Sequence, residues 1–123
     1  MESLISIHSL GAQVELDEGR YRIDVIGGWG VTLGLFSVTL TNHETVIPSK
    51  RAFWPVQHYA HGKRAKRVLI VDIPKKDVYH IDFNRPETLQ VNHHNLPFFP
   101  IMERTVPNQG LKIRITRQFF TFF

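Results

Sequence analysis

The sequence predicts an all-β domain, an antiparallel two-sheet β-sandwich of immunoglobulin-like or jelly-roll-like type with little or no helix. Three observations carry this. Residues 17–25 (Asp-Glu-Gly-Arg-Tyr-Arg-Ile-Asp-Val) are echoed 58 residues later by 75–83 (Lys-Lys-Asp-Val-Tyr-His-Ile-Asp-Phe), each copy passing through a charged turn into a Tyr-x-Ile-Asp-apolar run. That run alternates sides with a period of two, as a half-buried strand does. No window keeps apolar residues at three- and four-residue spacing between caps, so no helix of ordinary length is expected. Short alternating segments instead recur between turn residues along the chain, the pattern of two packed antiparallel sheets.

Residues 3–8 and 12–16 read as two short strands about Gly11. In 20–26, Tyr21, Ile23 and Val25 share the inward face, and Arg20, Arg22 and Asp24 the outward one. The spacing of Asp17, Gly19 and Tyr21 resembles the tyrosine corner of β-sandwich modules, a mark of architecture rather than activity. Gly27, Gly28, Trp29 and Gly30 break the strand. Residues 31–41 resume it, but the apolar phase slips from Val31, Leu33 and Leu35 to Phe36, Val38 and Leu40, for which a β-bulge near Gly34 would account. Residues 48–66, with Pro55 and much aromatic side chain, read as a long connection, a kind of segment that often carries function.

Residues 67–73 are apolar on both faces and predict a central strand; 74–77 turn the chain, 78–83 leave again and 88–91 add a short strand. The Asn, Pro and Gly content of 92–110 predicts irregular structure. The last sheet strand falls at 111–117, with Leu111, Ile113 and Ile115 inward and Lys112, Arg114 and Arg117 outward. The repeated phrase reflects either convergence on a good turn or two pseudo-equivalent halves.

A chain of 123 residues, 42% of them hydrophobic, can bury one core without a metal or disulfide, and reads as a single domain over 1–123. The absence of cysteine excludes a disulfide framework, a thiol nucleophile and Cys-ligated zinc. The first residues lack the basic start and apolar run of a signal peptide, which favours a cytoplasmic setting. The longest apolar run, 68–71, is far short of a membrane span, so no membrane insertion is expected. Charge is uneven: residues 1–49 hold two basic and six acidic side chains, 50–123 thirteen and five, and 50–67 contain six basic residues and no acid.

That basic stretch is the leading candidate for a contact surface. It interleaves Lys63, Arg64, Lys66 and Arg67 with Phe53, Trp54, His58, Tyr59 and His61, a composition that suits a polyanion because cations neutralise phosphates or sulfates while aromatic rings stack. The same residues could instead cover the end of a sandwich, aromatics inward and charges solvated. Trp29 among its glycines is either folded onto the core or displayed to stack on a sugar ring or a partner. The Phe-rich end, with Phe119, Phe120, Phe122 and Phe123, suggests self-association by addition to a neighbouring sheet edge.

Catalytic signatures are absent. No serine lies in a Gly-x-Ser-x-Gly elbow, and the glycines lack the Lys and Ser or Thr of a phosphate loop. Asp24 and Asp82 hold the same place in the repeated phrase, which points to strand-surface roles rather than paired acid-base work. Seven histidines raise the question of a metal, yet His58 and His61 lie in no helix, His93 and His94 are adjacent, and His80 pairs most simply with Asp82. No metal or cofactor is therefore implied. The expected function is a non-catalytic binding or assembly module with a protein partner, itself included; a sugar or other small ligand and a polyanion are the alternatives.

Overall fold

The computed structural model describes residues 4–52, 57–60, 63–92 and 105–117, with the backbone alone for 58–60 and 105. The described chain is all-β, with antiparallel sheets that do not close into a barrel. Among the described residues thirteen strands run in the order β1 (Leu4–Ser6), β2 (Ala12–Leu16), β3 (Gly19–Ile26), β4 (Gly30–Thr32), β5 (Ser37–Thr41), β6 (Val46–Pro48), β7 (Lys50–Arg51), β8 (Gln57–Ala60), β9 (Lys63–Ile73), β10 (Asp77–Asn84), β11 (Gln90–Asn92), β12 (Thr105–Val106) and β13 (Lys112–Arg117). Short 3₁₀ turns at Pro86–Thr88 and Asn108–Gly110 are the helical elements among the described residues.

A six-stranded sheet has the order β1-β13-β3-β9, with β7 and β8 both paired to the far edge of β9. A four-stranded sheet runs β2-β10-β5-β6, and a three-stranded one β12-β11-β4. Side chains from all three meet in one buried cluster that includes Tyr21, Ile23, Leu40, Leu69, Tyr79, Ile81, Val91 and Ile113.

The repeated phrase builds two matching corners. The Tyr21 hydroxyl donates to the carbonyl of Asp17 at 3.2 Å and accepts from its N–H at 3.0 Å; the Tyr79 hydroxyl donates to the Lys75 carbonyl at 2.6 Å. Each ring is buried while its hydroxyl reaches back four residues to the turn. Each turn also carries the chain between the larger sheets, β2 to β3 in one direction and β9 to β10 in the other. Because β3 pairs with β9 and β10 with β2, the crossovers lie side by side and antiparallel.

The correspondence extends further. Exchanging β2 with β9, β3 with β10, β5 with β13 and β6 with β1 turns the order of the four-stranded sheet into that of strands β9-β3-β13-β1 of the six-stranded one, with β7 and β8 additional to the match. The pair β4·β11, centred on Val31 opposite Val91, maps onto itself. The topology is therefore that of two pseudo-equivalent halves.

Several sequence expectations need correction. The phase slip near Gly34 is not a bulge within one strand: the chain leaves β4 in the three-stranded sheet, turns at Leu33–Phe36 with Gly34 at φ 60°, and enters β5 in another sheet. The bulge lies between Ile23 and Asp24, opposite Val68 on β9. The long connection at 48–66 contains β7, β8 and the start of β9, so its basic residues sit on strands. Asp24 and Arg114 do take the outward face of the six-stranded sheet, but both are buried there rather than solvent-exposed.

Replacing Tyr79 by Phe leaves the Lys75 carbonyl without its partner and should lower stability by about 1 kcal/mol in a denaturant titration. Burial first, and then the neighbouring Asp77 carboxylate, push the Tyr79 hydroxyl above its ordinary value. A neutral form favoured by folding stabilises fully below the unfolded value of about 10, and that stabilisation is lost as pH rises through the higher folded value. Wild-type stability should therefore fall more steeply above about pH 10 than that of Tyr79→Phe; parallel curves would show that Tyr79 does not carry the alkaline limb.

Candidate functional site

The Gly-Gly-Trp-Gly sequence makes a tight passage from β3 to β4. The Gly27 N–H donates to the Arg64 carbonyl at 2.7 Å, tying the passage to β9, and Gly27 has φ 131°, a conformation that side chains resist. A Cβ on Gly28 would stand 2.1 Å from the Asn92 carbonyl oxygen, so the passage is pressed against β11 as well. Held from both sides, Trp29 emerges half-buried with the Arg64 guanidinium 4.6 Å above its ring, a cation–π contact.

The bulge in β9 decides which side chains join this pair. Leu69, Val71 and Ile73 face the core, and the extra residue reverses the alternation so that Val68, Lys66 and Arg64 follow on that same side. Lys66 and Val68 line a groove of about 360 Å³ with Val31, Leu33, Gly34 and Arg51. Arg51 fixes one rim by donating from Nη2 to the Gly34 carbonyl at 3.1 Å. Lys66 lies two residues beyond Arg64 on one side of β9, so the Trp29–Arg64 pair borders the groove.

Electrostatics distinguish this edge from the rest of the surface. Around the corners and the four-stranded sheet several cations meet carboxylates: Arg20 with Asp72 and Lys75 with Glu44 at 2.8 Å, Arg85 with Glu87 at 2.6 Å, and Lys76 within 3.9 Å of Asp17. Lys50, Arg51, Lys63 and Lys66 form no ion pair among the described residues. Lys50, Arg51 and Lys63 are exposed and Lys66 is half-buried.

Of the other predicted site residues, Arg67 does not belong to this surface, because it is 3% exposed on the opposite side of β9. His58 and Tyr59 pair through the backbone of β8 with Ala65 and Arg64. Phe53, Trp54, His61 and the Phe119, Phe120, Phe122 and Phe123 segment lie outside the described residues. Among the described residues no three His, Asp or Glu side chains converge as metal ligands. His80 faces solvent, with Gln13 as its neighbour at 3.5 Å rather than Asp82, and His8 meets Asn108 at 2.7 Å. Arg51 was visible in the charge run but not as a groove residue, since only the pairing of β7 with β9 brings it there.

A second, larger groove of about 570 Å³ lies against the four-stranded sheet, lined in part by Thr39, Thr41, Asp82 and Asn84 and bordered by Leu10 and Val46. Asn84 fixes the polar floor by donating to Thr39 Oγ1 at 2.8 Å and Ser37 Oγ at 3.1 Å.

Gly28→Ala should lower stability by about 1–3 kcal/mol by overpacking, and should change Trp29 fluorescence by moving the ring from Arg64. An unperturbed melt and spectrum would mean that Asn92 yields and that the close approach does not place the tryptophan.

Comparison with family models, with curated proteins and with solved structures returns no match.

Proposed function

We propose that this protein is a non-catalytic binding module that engages a polyanion along the β7–β9 edge. The observation that carries the reading is the cluster of cations without carboxylate partners, Lys50, Arg51, Lys63 and Lys66, beside the Trp29–Arg64 pair. Such cations gain by displacing the counterions of a polyanion, and a guanidinium seated over an indole places a cation beside an aromatic surface on which a base could stack. A single-stranded oligonucleotide suits this combination better than a sulfated polysaccharide, which uses the charge alone. An immunoglobulin-like or jelly-roll-like sandwich remains our reading of the scaffold, supported by the one core that the larger sheets share.

A second reading, contact with a protein partner or a second copy, is favoured by one observation. Leu10, 99% exposed, and Val46, 70% exposed, flank the larger groove, an apolar rim around a polar floor. If that rim mediates self-association, Leu10→Asp with Val46→Asp should turn a concentration-dependent sedimentation profile into that of a monomer; a parent already monomeric at high concentration would refute it.

For the polyanion reading, affinity for a short oligonucleotide should fall with log salt at a slope of about −3, from four cations at roughly 0.7 each. Lys63→Glu with Lys66→Glu should abolish binding while preserving the melting transition. Salt-independent binding, or an unchanged affinity in the double variant, would overturn the assignment. Heparin bound as tightly as the oligonucleotide would retain the electrostatic part and remove the stacking part.

A further inference from the structure

The groove at the β7–β9 edge has a chemistry that charge alone does not explain. Its walls are aliphatic: Val31, Leu33 and Ala52 are half-buried and Val68 is 6% exposed. Two cations, Arg51 and Lys66, open onto the same space, and among the described residues no acidic side chain lines it. A bare anion has no use for aliphatic walls, and a purely apolar ligand would have to desolvate the cations without answering them. The combination fits a ligand that carries an anionic group joined to an apolar one.

The walls are fixed before any ligand arrives. The Phe36 N–H donates to the Leu33 carbonyl at 3.0 Å and the Leu35 N–H to Thr88 Oγ1 at 3.0 Å, which closes the turn between β4 and β5. A Cβ on Gly34 would stand 2.7 Å from the Thr88 carbonyl oxygen, so this turn is pressed against the 3₁₀ segment Pro86–Thr88. On the other side the Ala52 N–H donates to the Val68 carbonyl at 2.9 Å and joins those two lining residues. Arg51 is exposed, yet its bond to the Gly34 carbonyl ties it to the turn. That bond engages one of five guanidinium N–H donors, and among the described residues the other four have no acceptor. A cation held in place in advance loses little freedom on binding, which makes this arginine a better anchor than a free surface side chain.

We propose that the groove is a single-nucleotide subsite, in which one unstacked base of a single-stranded nucleic acid lies against Val31, Leu33 and Val68 while its phosphate is held by Arg51 and Lys66. This rests on the polyanion reading of the edge and adds to it a place for a base. A volume of about 360 Å³ is at the small end of ligand sites, roughly 300–1,000 Å³, and so takes one nucleotide rather than a stacked run. Aliphatic walls hold the face of a base by removing apolar area from water, which does not depend on which base it is. A duplex keeps its bases paired and stacked, whereas a single strand presents one at low cost. A sulfated polysaccharide matches the two cations but offers no base to bury.

The test compares two labelled probes on the full chain by fluorescence anisotropy over a range of salt: a short oligothymidylate, and a backbone of the same length in which every base is missing. Both carry the same phosphates and should show the same salt slope, while the intact strand should bind at least about tenfold tighter. Ala52→Phe fills the groove from a half-buried position and should bring the intact strand down to the affinity of the abasic one, with slope and melting transition unchanged. Leu33→Ala removes wall area without adding bulk and should narrow the preference by about threefold or more, which keeps the test decisive if the larger side chain disturbs the fold. Arg51→Lys retains the charge but not the fork that bonds the Gly34 carbonyl, and should weaken both probes at an unchanged slope. Equal affinity for the two probes with a steep salt dependence would overturn the subsite and leave the polyanion edge standing. Absence of salt-dependent binding to either probe would overturn edge and subsite together. A preference for the intact strand that persists in folded Ala52→Phe and Leu33→Ala would put the base elsewhere and likewise overturn the proposal.

Discussion

The architecture depends on two tyrosine hydroxyls. Between β2 and β3, and again between β9 and β10, the chain turns from one large sheet to the other, and each turn is closed by a buried tyrosine bonded to the backbone four residues before it. A crossover would otherwise place unpaired carbonyls at the edge of an apolar core, and the hydroxyl satisfies one while its ring fills the corner. The two turns lie antiparallel beside each other, so their spacing sets the pairing of β3 with β9 and of β2 with β10 together. From those two pairings the matching order of both sheets follows.

A single extra residue then divides the longest described strand into two segments of opposite alternation. Residues 69–73 of β9 obey one alternation and serve the core. Across the bulge at Val68 the alternation reverses, sending Arg64 and Lys66 toward Trp29 and the groove and Arg67 to the outward row with Asp24. Bulges re-aim side chains at modest cost because the flanking ladder remains intact. Here the same irregularity sets the groove residues and the buried Arg67 on opposite sides of one sheet.

Charge placement has a corresponding logic. The exposed pairs Arg20–Asp72, Lys75–Glu44 and Arg85–Glu87 add little stability, as solvent-screened pairs generally do. Their consequence is to neutralise the surface around the corners and the four-stranded sheet. The cations of the β7–β9 edge are left without such neutralisation, and a field of this kind bears on the approach of a charged partner more than on folding.

The sequence by itself determined the all-β class, the strands at β2, β3, β10 and β13 within a residue or two, the central position of β9 and the two tyrosine turns, because all are local: alternation, turn chemistry and a short-range hydroxyl bond are written in neighbouring residues. It also marked Trp29, Lys63, Arg64 and Lys66, since an aromatic among glycines and a run of cations are compositional signals. Only the tertiary structure decided that Trp29 lies under Arg64, that Arg51 borders the groove, and that Asp24, Arg67 and Arg114 share a buried row. Asp24 and Asp82 occupy identical places in the repeated phrase, yet one is fully buried and the other exposed. A strand's period says which residues share a face; whether that face is covered, and what stands across the ladder, depends on pairings as distant in sequence as Leu4 with Arg114.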